Sequence, residues 1–431
     1  MAMKLWMERE DIQRQFLFRP GELHIVFWAL AALGKYVEGS GIDQAWVEAG
    51  LYSPTTVTQI LNGKHMYRAL EAHTVTLLAL YSLYFRKFLK LQPNEEAFLK
   101  EASTCLGEAY QEDISRDTES RNNVSDAVTK AIEMFESREI FEKMKQCEGT
   151  ANKIQHFINS YMKQFENFLQ FVRATRQRDM LLHMQSLEGL IKYFFAHDHL
   201  NYARLLPLYI STMQETEKDH PEIWAAFVKG NFCVTKGIAG FTSIGPDHGI
   251  EQENRELKVV IGIVGITQNE KSLDMYFLIA PKLSNLQREF EKTYCIDNKE
   301  KRTQHHEVTG GKLSRVTQNA VKLSAVFNQH GNPFESAEDE MYNLLTKAVM
   351  NETATNDILH RDEIGQQMFE DFVTERMTEG KLSVWDKMKK RKLETFKGMD
   401  RNQSRGQGCQ DKRRARTLAT VHRYLQKSTR T

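Results

Sequence analysis

Between Leu23 and Val37 the chain runs almost without a polar residue, interrupted only by His24 near the start and Lys35 near the end. A segment of that length is too short to cross a bilayer and lacks the flanks of a secretion signal, so it demands other apolar surfaces around it. A helix buried on most of its circumference meets that demand. With 431 residues and 41% apolar content, the chain has material for two or three domains and a sizeable core.

Helical periodicity dominates the N-terminal third. Glu22 to Glu38 reads as the buried helix, Ser40-Gly41 lies in the break after it, and shorter helices fit Asp43 to Ala49 and Ser53 to Leu61. Asn62-Gly63 marks a turn. From His65 to Leu91 apolar side chains recur at helical steps (Tyr67, Leu70, Val75, Leu78, Tyr81, Tyr84, Phe88) until Pro93 closes the segment. Residues 94–125 are polar and acidic, which suits a solvent-facing helix or a connector and sets the first domain boundary.

Phenylalanines and leucines from Phe157 to Phe195 recur at three- and four-residue steps, predicting one long core helix kinked at Gly189. The strand candidates are Phe232 to Thr235 and Val259 to Ile266. Leu273 to Tyr294, Leu313 to Gln329 and Ala337 to Val349 return to helical patterning. The organisation expected is a helical region over 1–93, a polar connector over 94–125, a helical core with a small strand element over 126–300, a helical region over 301–380 and a basic, largely disordered tail over 381–431. The fold class is mainly α, helical bundle regions with a small β element.

Charge is distributed unevenly. Residues 381–431 hold 16 Lys and Arg against 4 Asp and Glu, while the rest carries 42 basic and 53 acidic residues. The acidic body is a poor nonspecific polyanion binder; the tail suits one, because clustered Lys and Arg displace counterions from phosphates. Its clusters are Lys389, Lys390, Arg391 and Lys392, then Lys412, Arg413, Arg414 and Arg416, both of a composition that serves nuclear import machinery or DNA contact. Five scattered cysteines without a CxxC pair exclude a disulfide framework or zinc ribbon and fit a reducing compartment, nuclear or cytoplasmic.

Several blocks occur in a fixed order. The first contains Gly21, His24, Ser40, Gly41, Gly63, Lys64, Arg68, Ala69 and His73; the second Asp198, Asn201, Tyr202, Ala203 and Arg204; the third Gly230, Asn231, Phe232, Asp247, Glu251, Asn254, Lys258, Gly262, Gly265 and Thr267. His305 to Glu307, Gly331 to Phe334 and Ser383 to Lys390 come after them. Together they resemble a family of transposon-derived, transposase-like proteins of animal genomes over residues 19–397. In such relatives more protein precedes the Gly-x-x-His block, so the resemblance implies a partial gene product, its small β element being the remnant of an RNase H-like core.

The resemblance also implies an incomplete, inactive remnant of a metal-dependent DNA strand-transfer enzyme. That chemistry requires acidic side chains to converge on two divalent cations, such as Mg²⁺. Glu251, Asp198 and Asp247 are the catalytic candidates, with Glu251 and Asp198 the metal ligands. If Pro246 starts a helix, Asp247 and Glu251 share one face of it. The same residues have structural readings: Glu251 on a solvated face beside Arg255 and Lys258, Asp198 as an N-cap for the helix that follows it, Glu22 as a negative charge at a helix N-terminus.

A different reading of the chain is a noncatalytic nuclear helical protein that binds nucleic acid or protein. Lys64 and Arg68, one turn apart, suit a phosphate grip or a solvated face. Ser53 to Lys64, SPTTVTQILNGK, resembles the recognition helix of a helix-turn-helix, whose polar side chains enter the major groove. Matches of this length also arise incidentally on packed helices. Adjacent His305 and His306 splay apart on any regular element and suit a surface, and Gly310-Gly311-Lys312 lacks the rest of a P-loop.

Overall fold

The structure, a computed structural model, describes residues 2–13, 15–113, 118–148, 152–235, 243–259, 262–264, 269–293, 310–391 and 393–396. Lys392, Lys412, Arg413, Arg414 and the His305-His306 pair therefore lie outside the described residues.

Two short helices, α1 (Ala2–Glu8) and α2 (Glu10–Gln13), precede the apolar run, which forms α3 (Glu22–Val37). Next come α4 (Ile42–Glu48), α5 (Pro54–Leu61) and the long α6 (Met66–Leu91). The periodicity located all four of α3 to α6 to within a residue or so at each end. Helix α3 lies at the centre, against α5, α6, α10 (Lys153–Gln177), α11 (Met180–Ala196) and α14 (Pro246–Val259). Its Ile25, Leu30, Leu33 and Val37 have no solvent exposure. No single described helix is long and apolar enough to cross a membrane; only the α3–α4 pair passes that test together, across a 91° bend, and much of it is core.

The polar stretch after Pro93 is helical: α7 (Glu96–Asp113) and α8 (Thr118–Ser137) pack on each other, and α9 (Ile140–Glu148) completes an arm. The long helix expected from Phe157 to Phe195 is two helices. Arg178 takes a left-handed conformation, φ 63°, and Asp179 caps the next turn by accepting from Leu182 N at 2.9 Å, so the chain breaks there. Gly189 sits inside α11, where a Cβ would crowd the Asn167 side chain, so its role is packing and not a kink.

After α12 (Leu200–Asp219) and α13 (Pro221–Ala226), the β element is a two-stranded antiparallel ladder, β1 (Val234–Thr235) with β2 (Ser243–Ile244), Val234 opposite Ile244. The strand expected over Val259 to Ile266 is absent from its described part: Val259 ends α14 and residues 262–264 are irregular. Two residues per strand do not make a core sheet, and no RNase H-like sheet exists among the described residues.

Helices α15 (Glu270–Thr293) and α16 (Gly310–Gln329) are where periodicity put them. Ala337 to Val349 is not helical. It is a turn closed by a Tyr342–Val349 bridge, in which Asn343 Oδ1 accepts from Leu345 N and Thr346 N while its Nδ2 donates to Gly39 O at 2.7 Å. Leu344 N also donates to Ser40 O, and Gly41, at φ +99°, leaves no room for a Cβ against Leu344. Helices α17 (Glu352–Leu359) and α18 (Arg361–Phe372) close the body, the latter against α11.

Candidate functional site

The carboxylates singled out from sequence separate into three environments. Asp247, in the first turn of α14, is used at the start of α3. Its Oδ1 accepts from Leu23 N at 3.1 Å and its Oδ2 from His24 N at 3.2 Å, and Oδ2 lies 3.0 Å from His24 Nδ1. The N-cap position of α3 is Gly21, which has no side chain, so the two amides an ordinary cap would satisfy are satisfied from 224 residues away in sequence. Oδ1 also accepts from His248 N at 3.0 Å.

Glycines make this junction possible. A Cβ on Gly21 would overlap the Asp247 carboxyl, and one on Gly245 would lie 2.8 Å from Asp247 Oδ1 and 2.9 Å from Glu22 Oε2. Glu22 is buried and paired with Arg19, which donates to Phe232 O at 3.0 Å and Tyr209 Oη at 3.3 Å. Burial pushes the Glu22 carboxyl up to about 7, outweighing the pull of Arg19, and nearby Asp247 adds to the rise. Arg19 stays cationic: burial lowers it, but Tyr209 and Glu22 more than offset this. A small pocket lies beside Glu22, lined by Val26, Met66, Leu70, Val172 and Arg176.

Asp198 is elsewhere and does not cap α12, a correction to the expectation. His199 is the residue before that helix, with no side-chain cap; Asp198 is left-handed at φ 58°, and its Oδ1 accepts from Arg391 N at 3.0 Å. The two carboxylates are turned to different partners, Asp198 to the Arg391 amide and Asp247 to the amides of Leu23 and His24. Glu251 is exposed on α14.

The donor set does not fit Mg²⁺. Both oxygens of Asp247 are already directed at N–H groups, Asp198 accepts from a backbone amide, and among the described residues no three His, Cys, Asp or Glu side chains are arranged to hold a metal ion.

The basic residues have a clearer arrangement. Residues 381–391 and 393–396, expected as part of a disordered tail, lie as a strap on the helical body: Val384 and Phe396 are buried, and the Phe396 ring lies 4.8 Å from that of Phe157. Ser383 to Asp386 forms a tight turn, with Ser383 N donating to Asp386 Oδ2 at 2.9 Å. Arg204 and Arg376 both donate to Asp386 O, at 3.1 Å each, and Arg204 lies over the Trp385 ring. Burial and the neighbouring Arg376 hold Arg204 below its ordinary value. Composition missed the strap because its anchors, Val384, Trp385 and Phe396, are sparse among the charges.

Asp198 and Asp357 then fix the strap's backbone, accepting from Arg391 N and Glu394 N, and leave Lys387, Lys389, Lys390 and Arg391 exposed. Lys64 and Arg68 are exposed as well, but not on one regular element: Lys64 is in the turn before α6 and Arg68 in its first turn.

A family model described as domain of unknown function (DUF8702) matches residues 2–408. The chain belongs to the DUF8702 family. No curated protein and no solved structure matches it. The matched span takes in both the α3–α14 junction and the strap, so this DUF8702 chain carries its acidic junction and its basic surface within one family domain.

Proposed function

We propose that this DUF8702 chain is a noncatalytic nucleic-acid-binding protein, whose helical body presents a basic strap to phosphates. The observation that carries this reading is the anchoring of the strap. Asp198 on one side and the buried Phe396 on the other hold the backbone, and Lys387, Lys389, Lys390 and Arg391 are exposed on this anchored segment. Cations held this way lose little conformational freedom on meeting a polyanion, and each phosphate neutralised releases counterions. The sequence adds Lys412, Arg413 and Arg414 farther on. Both clusters also suit an import receptor, which supports a nuclear location as part of this reading.

The test is binding of the full chain to a fluorescent duplex over a range of salt concentrations. K389A/K390A/R391A is expected to weaken binding roughly tenfold or more at physiological salt and to reduce the slope of log K against log[salt] by about 2 to 3. Unchanged affinity and slope would overturn the proposal. So would Mg²⁺- or Mn²⁺-dependent DNA cleavage that Glu251→Ala abolishes, since that result requires the strand-transfer chemistry.

A further inference from the structure

We infer that α4 and α5 form a helix-turn-helix that reads duplex DNA in the major groove. This rests on the nucleic-acid reading for the class of partner, and adds a second surface with a different role. The strap supplies charge; α5 supplies sequence discrimination.

The two helices are joined by a five-residue connection, 49–53, that is held by backbone hydrogen bonds. Helix α4 ends as Ala49 N donates to Ala45 O and Gly50 N to Val47 O; Gly50 then turns the chain at φ +67°, in open space. Leu51 N and Tyr52 N both donate back to Trp46 O, so the connection is ordered. Ser53 caps α5 by accepting from Thr56 N, and Pro54 occupies the first turn.

One face of each helix is committed to the core. Ala45 and Trp46 are buried, with Trp46 Nε1 donating to Thr76 Oγ1 at 2.8 Å; Val57, Ile60 and Leu61 are buried on α5. A Cβ on Gly34 of α3 would collide with the Leu61 carbonyl, so α5 is seated as closely as a helix can be.

The opposite face of α5 is polar and open. Thr55 and Thr58 are exposed, Gln59 is half-buried, and at spacings of three and four they form one stripe that continues to exposed Asn62. Threonine methyls suit thymine methyls, and a glutamine amide matches the donor and acceptor edge of adenine. Eight residues make α5 about 12 Å long, comparable with the width of the groove it would enter.

Of the nearby carboxylates, Glu71 is shared by two cations, Lys312 and Arg315, while Glu48 faces the His330 ring, 2.7 Å from Nε2. Lys64 and Arg68 are exposed just beyond the C-terminus of α5, where the phosphates flanking the groove would lie.

Selection from a random duplex library with the full chain, followed by binding to the enriched and a scrambled duplex, tests this. An enriched consensus is expected, bound at least about tenfold more tightly than the scrambled duplex. T55A/T58A/Q59A, with an unchanged circular dichroism spectrum, is expected to remove that preference while keeping scrambled-duplex affinity and its salt slope. K389A/K390A/R391A is expected to weaken both duplexes equally. Absence of a consensus, retention of the preference in T55A/T58A/Q59A, or tighter binding to single-stranded RNA would overturn the inference. Failure of the strap variant to weaken the scrambled duplex would overturn the proposed function alone, so the two failures are distinguishable.

Discussion

At the scale of single residues, burial has turned Glu22 from a helix-terminal charge into a group that prefers its proton. In the unfolded chain it ionises near 4.5; in the fold it holds its proton to about 7. Between those values the folded state binds more protons than the unfolded, so this contribution is fully present below about pH 4.5 and is lost as pH rises through 7. The shift amounts to on the order of 3 kcal/mol. Glu22→Gln keeps a neutral side chain beside Arg19 at every pH. Urea unfolding at pH 5 and pH 8 is expected to show the wild type losing more stability than E22Q over that interval; parallel losses would refute the assignment. That Asp247 and Glu251 share a face if Pro246 starts a helix was legible, although Val259, the end of that helix, read as the start of a strand. That Asp247 faces another helix's amides was not, because the match depends on Gly21 and Gly245 meeting across more than two hundred residues.

At the scale of elements, periodicity located helices well wherever one face is buried and failed where a break is made by backbone conformation or a turn by one side chain. Arg178 breaks α10 from α11 in a left-handed conformation unusual for its residue type, and Asn343 holds the 337–349 turn through its own amide; neither has a compositional signal. Close helix crossings were equally hidden, since a glycine inside an apolar pattern looks like a weak helical position. Gly34 lies against the Leu61 carbonyl where α3 meets the end of α5, and Gly365 lies against the Lys192 carbonyl where α18 crosses α11. Each intruding atom is backbone, so a rotamer change cannot relieve the clash. Gly365→Ala removes a poor helix former yet is expected to destabilise by about 1 to 3 kcal/mol or more, because the crossing must widen. A chemical denaturation midpoint at or above that of the wild type would show that the α11–α18 contact is looser than described.

At the scale of the whole molecule, the arm of α7, α8 and α9 differs from the body in how it is held. The body has one continuous core running from α3 through α18 to Phe396, whereas the arm closes, among the described residues, on a small separate cluster of Phe88, Phe98, Ile140 and Cys147. Polar contacts add to that hold: Glu95, itself largely covered, pairs with Lys143 at 2.6 Å and with the more exposed Arg138 at 3.2 Å. Of the two forms open to the polar stretch 94–125, a solvent-facing helix or a connector, its described residues take the helical one. Cooperative units with few buried apolar contacts open below the global free energy, so amides of Phe98 to Ala102 and of Met134 to Met144 are expected to exchange faster than those of Phe157 to Phe171. Phe98→Ala separates this arrangement from a single cooperative fold. It is expected to raise exchange across the arm while leaving α10 and α11 at wild-type protection, because Phe98 packs against Phe135 and under the Arg138 guanidinium and belongs to none of the body's core. Hydrogen exchange read by mass spectrometry decides it: equal loss of protection in the arm and in α10 would mean that the two unfold as one.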